Sequence, residues 1–331
     1  MAGLNYLRIA QILGGTISEI PGGVPSFGSI GAVQTAAERY RTILSGQERR
    51  ALELRQYPLI AKAFEKVRDG YEVDRVLVDP ALSKAFISEC RHLGIHAPVA
   101  EINKRLQCFR KSSRYGVKLK PTTRADGLDA EPLYYAAELG YRQFSYRSRA
   151  SIDDIVTEPE TGELFVKICR QIKPGGSPML FKWAALALRK MRSFNRRQTK
   201  RLLSVDPTDI ESQLRPAGTL DRIAVRDIPQ SRGVFSFLEK NGSQPKYLYI
   251  GFGDNLRDSV EPFSQAQPFL ALAGRFWSPS LADISINIGE FPKKWEGGSV
   301  RDWGLRLINA RHPLFNIPVD IKLRSARMQV L

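Results

Sequence analysis

The spacing of hydrophobic residues changes along the chain. Between residues 34 and 203, apolar positions recur every three or four residues, which is typical of amphipathic helices. After residue 229, they come as short runs rich in β-branched and aromatic residues, which favours strands. The pattern predicts an α+β protein: an irregular arm (1–33), a mostly helical basic region (34–203), a linker (204–228) and a small mixed-sheet domain flanked by helices (229–331).

Two predicted helices with a tight turn between them stand in the first half of the chain. Asp79 followed by Pro80 predicts a helix start, and Gly94 predicts its end. A basic helix follows from Pro98. The pair resembles a helix-turn-helix over residues 80–112, and an ordinary helical hairpin is the alternative. The residues of the second helix considered for DNA contact are Asn103, Lys104, Arg105, Gln107, Arg110 and Lys111.

The helix predicted to begin at Ser177 and Pro178 has a strongly basic continuation. Residues 189–201 contain seven cations and no acid. Cations favour a helix C-terminus, but seven exceed what the helix dipole requires, so a phosphate backbone is the natural counter-charge. A solvated basic face is the alternative. The candidate nucleic-acid contacts in this basic segment are Arg189, Lys190, Arg192, Arg196, Arg197, Lys200 and Arg201.

Aromatic residues and arginines alternate between residues 141 and 149. This alternation suits base stacking beside phosphate contacts, with Arg147 and Arg149 as the cations. The alternative is a strand whose aromatic side chains face a core and whose arginines face solvent.

Charge and composition narrow the partner classes. The net charge is +16, and about +12 of it lies before residue 221. Such an excess favours a polyanionic partner, most often nucleic acid. The three cysteines are far apart and form no zinc or disulfide pattern, no apolar run spans a bilayer, and no secretory signal is apparent. We therefore expect a cytoplasmic or nucleoid-associated protein with DNA as the favoured partner and no membrane contact, with RNA, a protein partner or a second copy as alternatives.

Two strand-like runs joined by a loop with Asn and Gly open the last domain, and a helix follows them. They contain Gly233-Val234-Phe235 and Tyr249-Ile250-Gly251. These triplets, and the spacing of Leu307-Ile308, Pro313 and Asn316, resemble the GIY-YIG nuclease family. The resemblance implies a small sheet flanked by helices and phosphodiester cleavage by two tyrosines, an arginine and a metal-binding glutamate, supported by an asparagine.

The chain departs from the family pattern at positions that carry the chemistry. Tyr249 and Asn316 are retained, but Phe235 replaces the first tyrosine and Ser259 stands at the arginine position. Gly304 replaces the metal-binding glutamate. A phenylalanine cannot donate, accept or ionise. The resemblance therefore implies a retained scaffold with a degenerate site.

A displaced metal site is the remaining route to activity. Asp302, Glu290 and Glu296 are the carboxylates near the lost glutamate in sequence. We expect no cofactor, and Mg²⁺ or Mn²⁺ only if the nuclease site is active. The predicted function is a DNA-binding protein with an inactive GIY-YIG-like domain, in a setting of the restriction, defence or recombination type by analogy. The alternatives are an active metal-dependent endonuclease with a rearranged site and a protein-interaction subunit that does not contact nucleic acid.

Overall fold

The structure, a computed structural model, divides into two compact units. The helical unit comprises the described parts of residues 1–129 with 145–164, and the sheet unit comprises those of 130–144 with 165–331. The described residues are 46–111, 123, 129–148, 150–194, 196–204, 206–239, 246–264, 281–291, 299–318 and 320–321. The predicted arm over residues 1–33 lies outside them.

The elements follow one another in the order that the α+β prediction requires. The helices are α1 (Gly46–Val67), α2 (Val73–Val78), α3 (Pro80–His92), α4 (Val99–Lys111), α5 (Tyr134–Ser148), α6 (Ile152–Thr157), α7 (Pro159–Ile172), α8 (Pro178–Arg192), α9 (Arg196–Leu203), α10 (Pro207–Ser212), α11 (Leu256–Ser264) and α12 (Val300–Arg311). The strands are β1 (Ser193–Phe194), β2 (Arg215–Thr219), β3 (Gly233–Glu239), β4 (Lys246–Gly253), β5 (Ile284–Glu290) and β6 (Asp320–Ile321). The predicted fold class is confirmed.

Local capping explains where the helices of the helical unit begin and end. The Asp79 carboxylate accepts hydrogen bonds from the backbone N–H groups of residues 81 and 82, which starts α3 as predicted. Gly94 has a φ of 79° and turns the chain towards α4. A capping box formed by Ser151 and Asp154 starts α6. The core of this unit contains fully buried side chains of α1, α3 and α4, such as Phe64, Phe86 and Leu106.

The sheet unit is built on four strands in the order β2-β5-β3-β4. Every pair in this sheet is antiparallel, whereas the sequence predicted a mixed sheet. The only parallel pair in the described residues is the separate two-residue pair of β1 with β6. The hairpin β3–β4 joins the two signature triplets, because Phe235 is opposite Gly251 and Phe237 is opposite Tyr249.

The predicted linker is part of the sheet unit. Residues 204–228 contain α10, whose first turn is capped by Asp206, and β2, which pairs with β5. The strand was missed because its sequence, with Pro216 and Gly218, lacks apolar alternation and its side chains are largely exposed at the sheet edge.

The two faces of the sheet carry different packing. On one face, Val234, Ile250 and Phe252 pack against α12, whose Trp303 is buried. On the other face, Phe235 and Tyr249 project in the opposite direction, as strand alternation requires. This second face holds the candidate site.

Candidate functional site

An aromatic cluster fills the face of the sheet that carries the tyrosine of the second triplet. The Tyr249 ring centroid lies 6.1 Å from that of Phe235 and 6.5 Å from that of Phe237. Phe263 of α11 lies 5.2 Å from Tyr249, and Tyr135 of α5 lies 5.4 Å from Phe263. These side chains stabilise the domain as a packed apolar layer.

The Tyr249 hydroxyl is enclosed and donates its proton to a partner inside the protein. The residue is 6% exposed, and its hydroxyl donates a hydrogen bond of 3.1 Å to Glu138 Oε2. Burial, reinforced by the negative charge of Glu138, raises the pKa of Tyr249 well above its ordinary value. The hydroxyl therefore stays protonated at neutral pH and has no free path to a phosphodiester.

Glu138 is the centre of a buried polar cluster. It is 1% exposed, and its Oε1 accepts hydrogen bonds from Arg192 at 2.7 Å and from the backbone N–H of Ile317 at 2.8 Å. The Arg192 guanidinium lies 5.8 Å from the Phe252 ring centroid. A buried carboxylate without these partners would be strongly destabilising, so the cluster depends on all of its members.

Asn316 has a structural role next to the same cluster. Its side chain accepts from Ile250 N at 2.8 Å and donates to Ile250 O at 2.9 Å. The preceding backbone N–H groups of Leu314 and Phe315 bond to the carbonyls of Tyr247 and Leu248. This segment therefore covers the outer edge of β4 in the way that another strand would.

Helix α5 is held on this edge by contacts that the sequence did not predict. Arg142 donates from Nε and Nη2 to the Leu314 carbonyl, both at 3.0 Å. Gly140 lies so close to Cys169 of α7 that a Cβ would overlap the sulfur. Together with Glu138, these contacts fix α5 over the aromatic face. A glutamate among alanines and Leu139 was the only sequence signal for the cluster.

The position expected for the catalytic arginine has a local structural role. Ser259 Oγ donates to the Asn255 carbonyl at 2.8 Å, and it lies against Gly253, where a Cβ would overlap it. Arg257, two residues earlier, donates to the Ile228 and Arg226 carbonyls at 3.0 and 2.8 Å. Its guanidinium is therefore bonded to the segment that precedes β3.

The position expected for the metal-binding glutamate lies against the opposite face of the sheet. The Phe252 ring covers Gly304 so closely that a Cβ there would overlap it. Phe252 and Tyr249 face opposite sides of the sheet, so the two family positions are not brought together here. No room for a longer side chain exists at Gly304 without movement of Phe252.

The replacement carboxylates are also engaged elsewhere. Asp302 forms a capping box with Ser299 at the start of α12, and Glu290 accepts from Ser231 Oγ at 2.5 Å. Glu296 lies outside the described residues. Within the described segments, no group of three or more His, Cys, Asp or Glu residues is arranged to hold a metal ion.

The basic segment is divided between two helices and β1. Arg192 is buried at 3% exposure and paired with Glu138, so its prediction as a nucleic-acid contact is corrected. Lys190 is exposed and lies 5.6 Å from the Trp183 ring, Arg189 is half-buried, and Lys200 is exposed. The structure does not describe the side chains of Arg196, Arg197 and Arg201.

The predicted DNA-reading face of α4 is packed inside the helical unit. Asn103 donates to the Thr157 carbonyl at 2.9 Å, and Gln107 donates to Asp153 at 2.8 Å. Lys104 pairs with Glu158 at 2.5 Å, and Arg105 is buried and donates to Gln56. The helix-turn-helix reading by these residues is therefore wrong, because α6 occupies the face that would meet the groove.

The remaining candidate nucleic-acid contacts lie near the C-terminal ends of α4 and α5. The side chains of Arg110, Lys111, Arg147 and Arg149 lie outside the description. The alternating segment that contains the last two is part of α5 up to Ser148, and Phe144 within it is buried, so the strand alternative is wrong.

Comparisons with protein-family models, curated proteins and solved structures give no match. Among the described helices, none is long and apolar enough to cross a membrane.

Proposed function

We propose that the chain is a DNA-binding protein whose sheet unit has a GIY-YIG-like scaffold without hydrolytic chemistry. The observation that carries the second part is the Tyr249 hydroxyl, which is enclosed and bonded to Glu138. The first part rests on the net charge of +16 and on the acid-free run of cations at residues 189–201.

The order of elements supports the scaffold. The hairpin β3–β4 is followed by α11, β5 and α12, and β3 lies between β4 and β5. Glycines of the two triplets allow close packing, since the Phe235 ring covers Gly251. This arrangement agrees with the small sheet flanked by helices that the resemblance implies.

Phosphodiester hydrolysis has two requirements that the residues at these positions do not meet. A water must be activated, and the charge that develops on the phosphate must be neutralised. Phe235 has no hydroxyl, Ser259 carries no charge, and Gly304 offers no metal ligand. Tyr249 retains its hydroxyl, but Glu138 is its acceptor and α5 covers it.

The charge of the basic segment supports binding to nucleic acid. Arg192 is neutralised by Glu138, but six further cations remain among thirteen residues that contain no acid, and their mutual repulsion is unfavourable. Phosphates relieve this repulsion and release condensed counterions from the nucleic acid. A nucleic-acid partner also implies a cytoplasmic or nucleoid location.

A mobility shift of a random-sequence DNA duplex in stepped salt tests the proposal. The full chain should retard the duplex, and the affinity should fall steeply as salt rises. Charge reversal of Arg196 and Arg197 together should weaken binding across all sequences and flatten the salt slope. The matched control is Arg222→Glu, an exposed arginine in the turn after β2. Absence of any salt-sensitive shift by the wild type would contradict the proposal.

A further inference from the structure

The basic segment meets a cation of α12 that is 110 residues away in sequence. Arg301 Nη2 donates to the Met191 carbonyl at 3.2 Å. Met191 lies in the last turn of α8, inside the basic segment. The contact therefore brings the first turn of α12 to the C-terminal end of α8, at the residue that follows Lys190 in sequence.

Packing below the surface holds the same elements together. Leu202 of α9 is buried in one cluster with Val300 and Trp303 of α12. Lys190, Lys200 and Arg301, which belong to these three helices, are all exposed. The three cations come from three helices whose relative positions the core fixes.

Arg301 occupies a position that the helix itself does not favour. The first turn of a helix carries partial positive charge, which disfavours a cation. The Met191 carbonyl at the C-terminal end of α8 offsets part of this effect, because that end carries partial negative charge. The Arg301 side chain is also exposed, so its charge can meet an anion from outside.

We propose that the phosphate-binding surface of the sheet unit is composite and includes Arg301 together with Lys190 and Lys200. The inference rests on the proposed function, since it presupposes a nucleic-acid partner. A helix of eight residues is only about 12 Å long, whereas duplex DNA carries one charge per about 1.7 Å. Cations on three helices can neutralise phosphates over a larger stretch of the backbone than α9 can alone.

Titration of a fluorescent DNA duplex with the full chain, at several salt concentrations, tests the inference. Arg301→Gln should weaken binding roughly five- to tenfold at ~100 mM salt and lower the salt slope by about one, as the loss of one phosphate contact requires. Arg301→Lys keeps the charge and should retain most of the slope. Arg222→Gln is the control, because Arg222 follows β2 at the sheet edge opposite β4, and it should leave the slope unchanged.

The outcomes separate the two proposals. If the wild type binds, and reversal of Arg196 and Arg197 lowers the slope while Arg301→Gln does not, the composite surface is wrong and the proposed function stands. If the wild type shows no salt-sensitive binding, the proposed function fails, and the inference fails with it. Equal losses with Arg301→Lys and Arg301→Gln would indicate a purely structural hydrogen bond and would overturn the inference.

Two further measurements keep the test decisive. Thermal melting of each variant identifies any unfolding by Arg301→Gln, and in that case Lys200→Gln replaces it with the same expected change in slope.

Leu203 is also exposed, and a lipid surface would use an exposed apolar side chain beside cations. Vesicles of phosphatidylserine and phosphatidylcholine form the second arm. Binding to vesicles that depends on Arg301, without such dependence for DNA, would overturn the inference.

Discussion

Tyr249 and Glu138 form a hydrogen bond of 3.1 Å in the interior of the sheet unit. The tyrosine comes from the triplet that resembles a nuclease signature, and the glutamate comes from a helix more than a hundred residues earlier. The bond converts a side chain that could carry chemistry into part of the core. Asn316 and Arg192 contact the same strand, since Asn316 bonds to Ile250 and Arg192 lies near the Phe252 ring of β4.

The first prediction concerns the buried ion pair. Glu138→Gln leaves Arg192 charged and without its carboxylate, so the free energy of unfolding should fall by about 3–5 kcal/mol. Urea denaturation measures the change. Glu261→Gln, at an exposed glutamate of α11, is the matched control and should cost less than about 0.5 kcal/mol.

A double-mutant cycle tests whether the cost comes from the unpaired charge. Arg192→Met combined with Glu138→Gln removes both charges, so the double variant should be more stable than the sum of the single changes predicts. Strictly additive losses would mean that the two side chains do not depend on each other, which contradicts the cluster.

The second prediction is an alkaline titration. The folded pKa of Tyr249 is raised above the ordinary value of about 10, so its contribution to stability is fully present below pH ~10 and is lost as pH rises towards the folded pKa. Tyrosinate absorbance should therefore show Tyr249 ionising only with unfolding. Tyr249→Phe should remove one late-titrating group. Ionisation of Tyr249 near pH 10 in the folded protein would show that its hydroxyl is open to solvent.

The third prediction concerns the position of the lost metal ligand. Gly304→Ala should lower the free energy of unfolding by about 1–3 kcal/mol, because the new methyl group overlaps the Phe252 ring. Combining it with Phe252→Leu should recover part of the loss. Gly304→Glu should restore no cleavage with Mg²⁺ or Mn²⁺, since the carboxylate would lie against the other face of the sheet from Tyr249. Equal stability of wild type and Gly304→Ala would contradict the packing.

The fourth prediction separates α4 from nucleic-acid binding. Asn103→Ala removes a buried hydrogen bond to the Thr157 carbonyl and should cost about 1–3 kcal/mol of stability. It should leave DNA affinity unchanged in the folded protein, measured as a mobility shift. His92→Ala, at an exposed site of α3, is the control for stability. A loss of DNA affinity without a loss of stability would contradict this prediction and would support α4 as a recognition helix.

The elements that sequence predicted best are those whose information is local. The helix start at Asp79 and the hairpin around the two triplets both follow from short patterns.

The rest depends on contacts between distant segments. Asn103 and Gln107 look like surface residues until α6, about fifty residues later, supplies their partners. Arg192 looks like one more cation of the basic segment until Glu138 pairs with it. The enclosure of Tyr249 could not be predicted, since α5 precedes β4 by about a hundred residues and carries no local sign of where it docks.

Incubation of supercoiled plasmid with the full chain in Mg²⁺ and in Mn²⁺, at a salt concentration that allows binding, tests the central claim most directly. The account predicts that the plasmid is retarded in a gel and that it stays supercoiled. Nicking by the wild type that Tyr249→Phe abolishes would contradict the account, because it would show that the enclosed hydroxyl performs the chemistry.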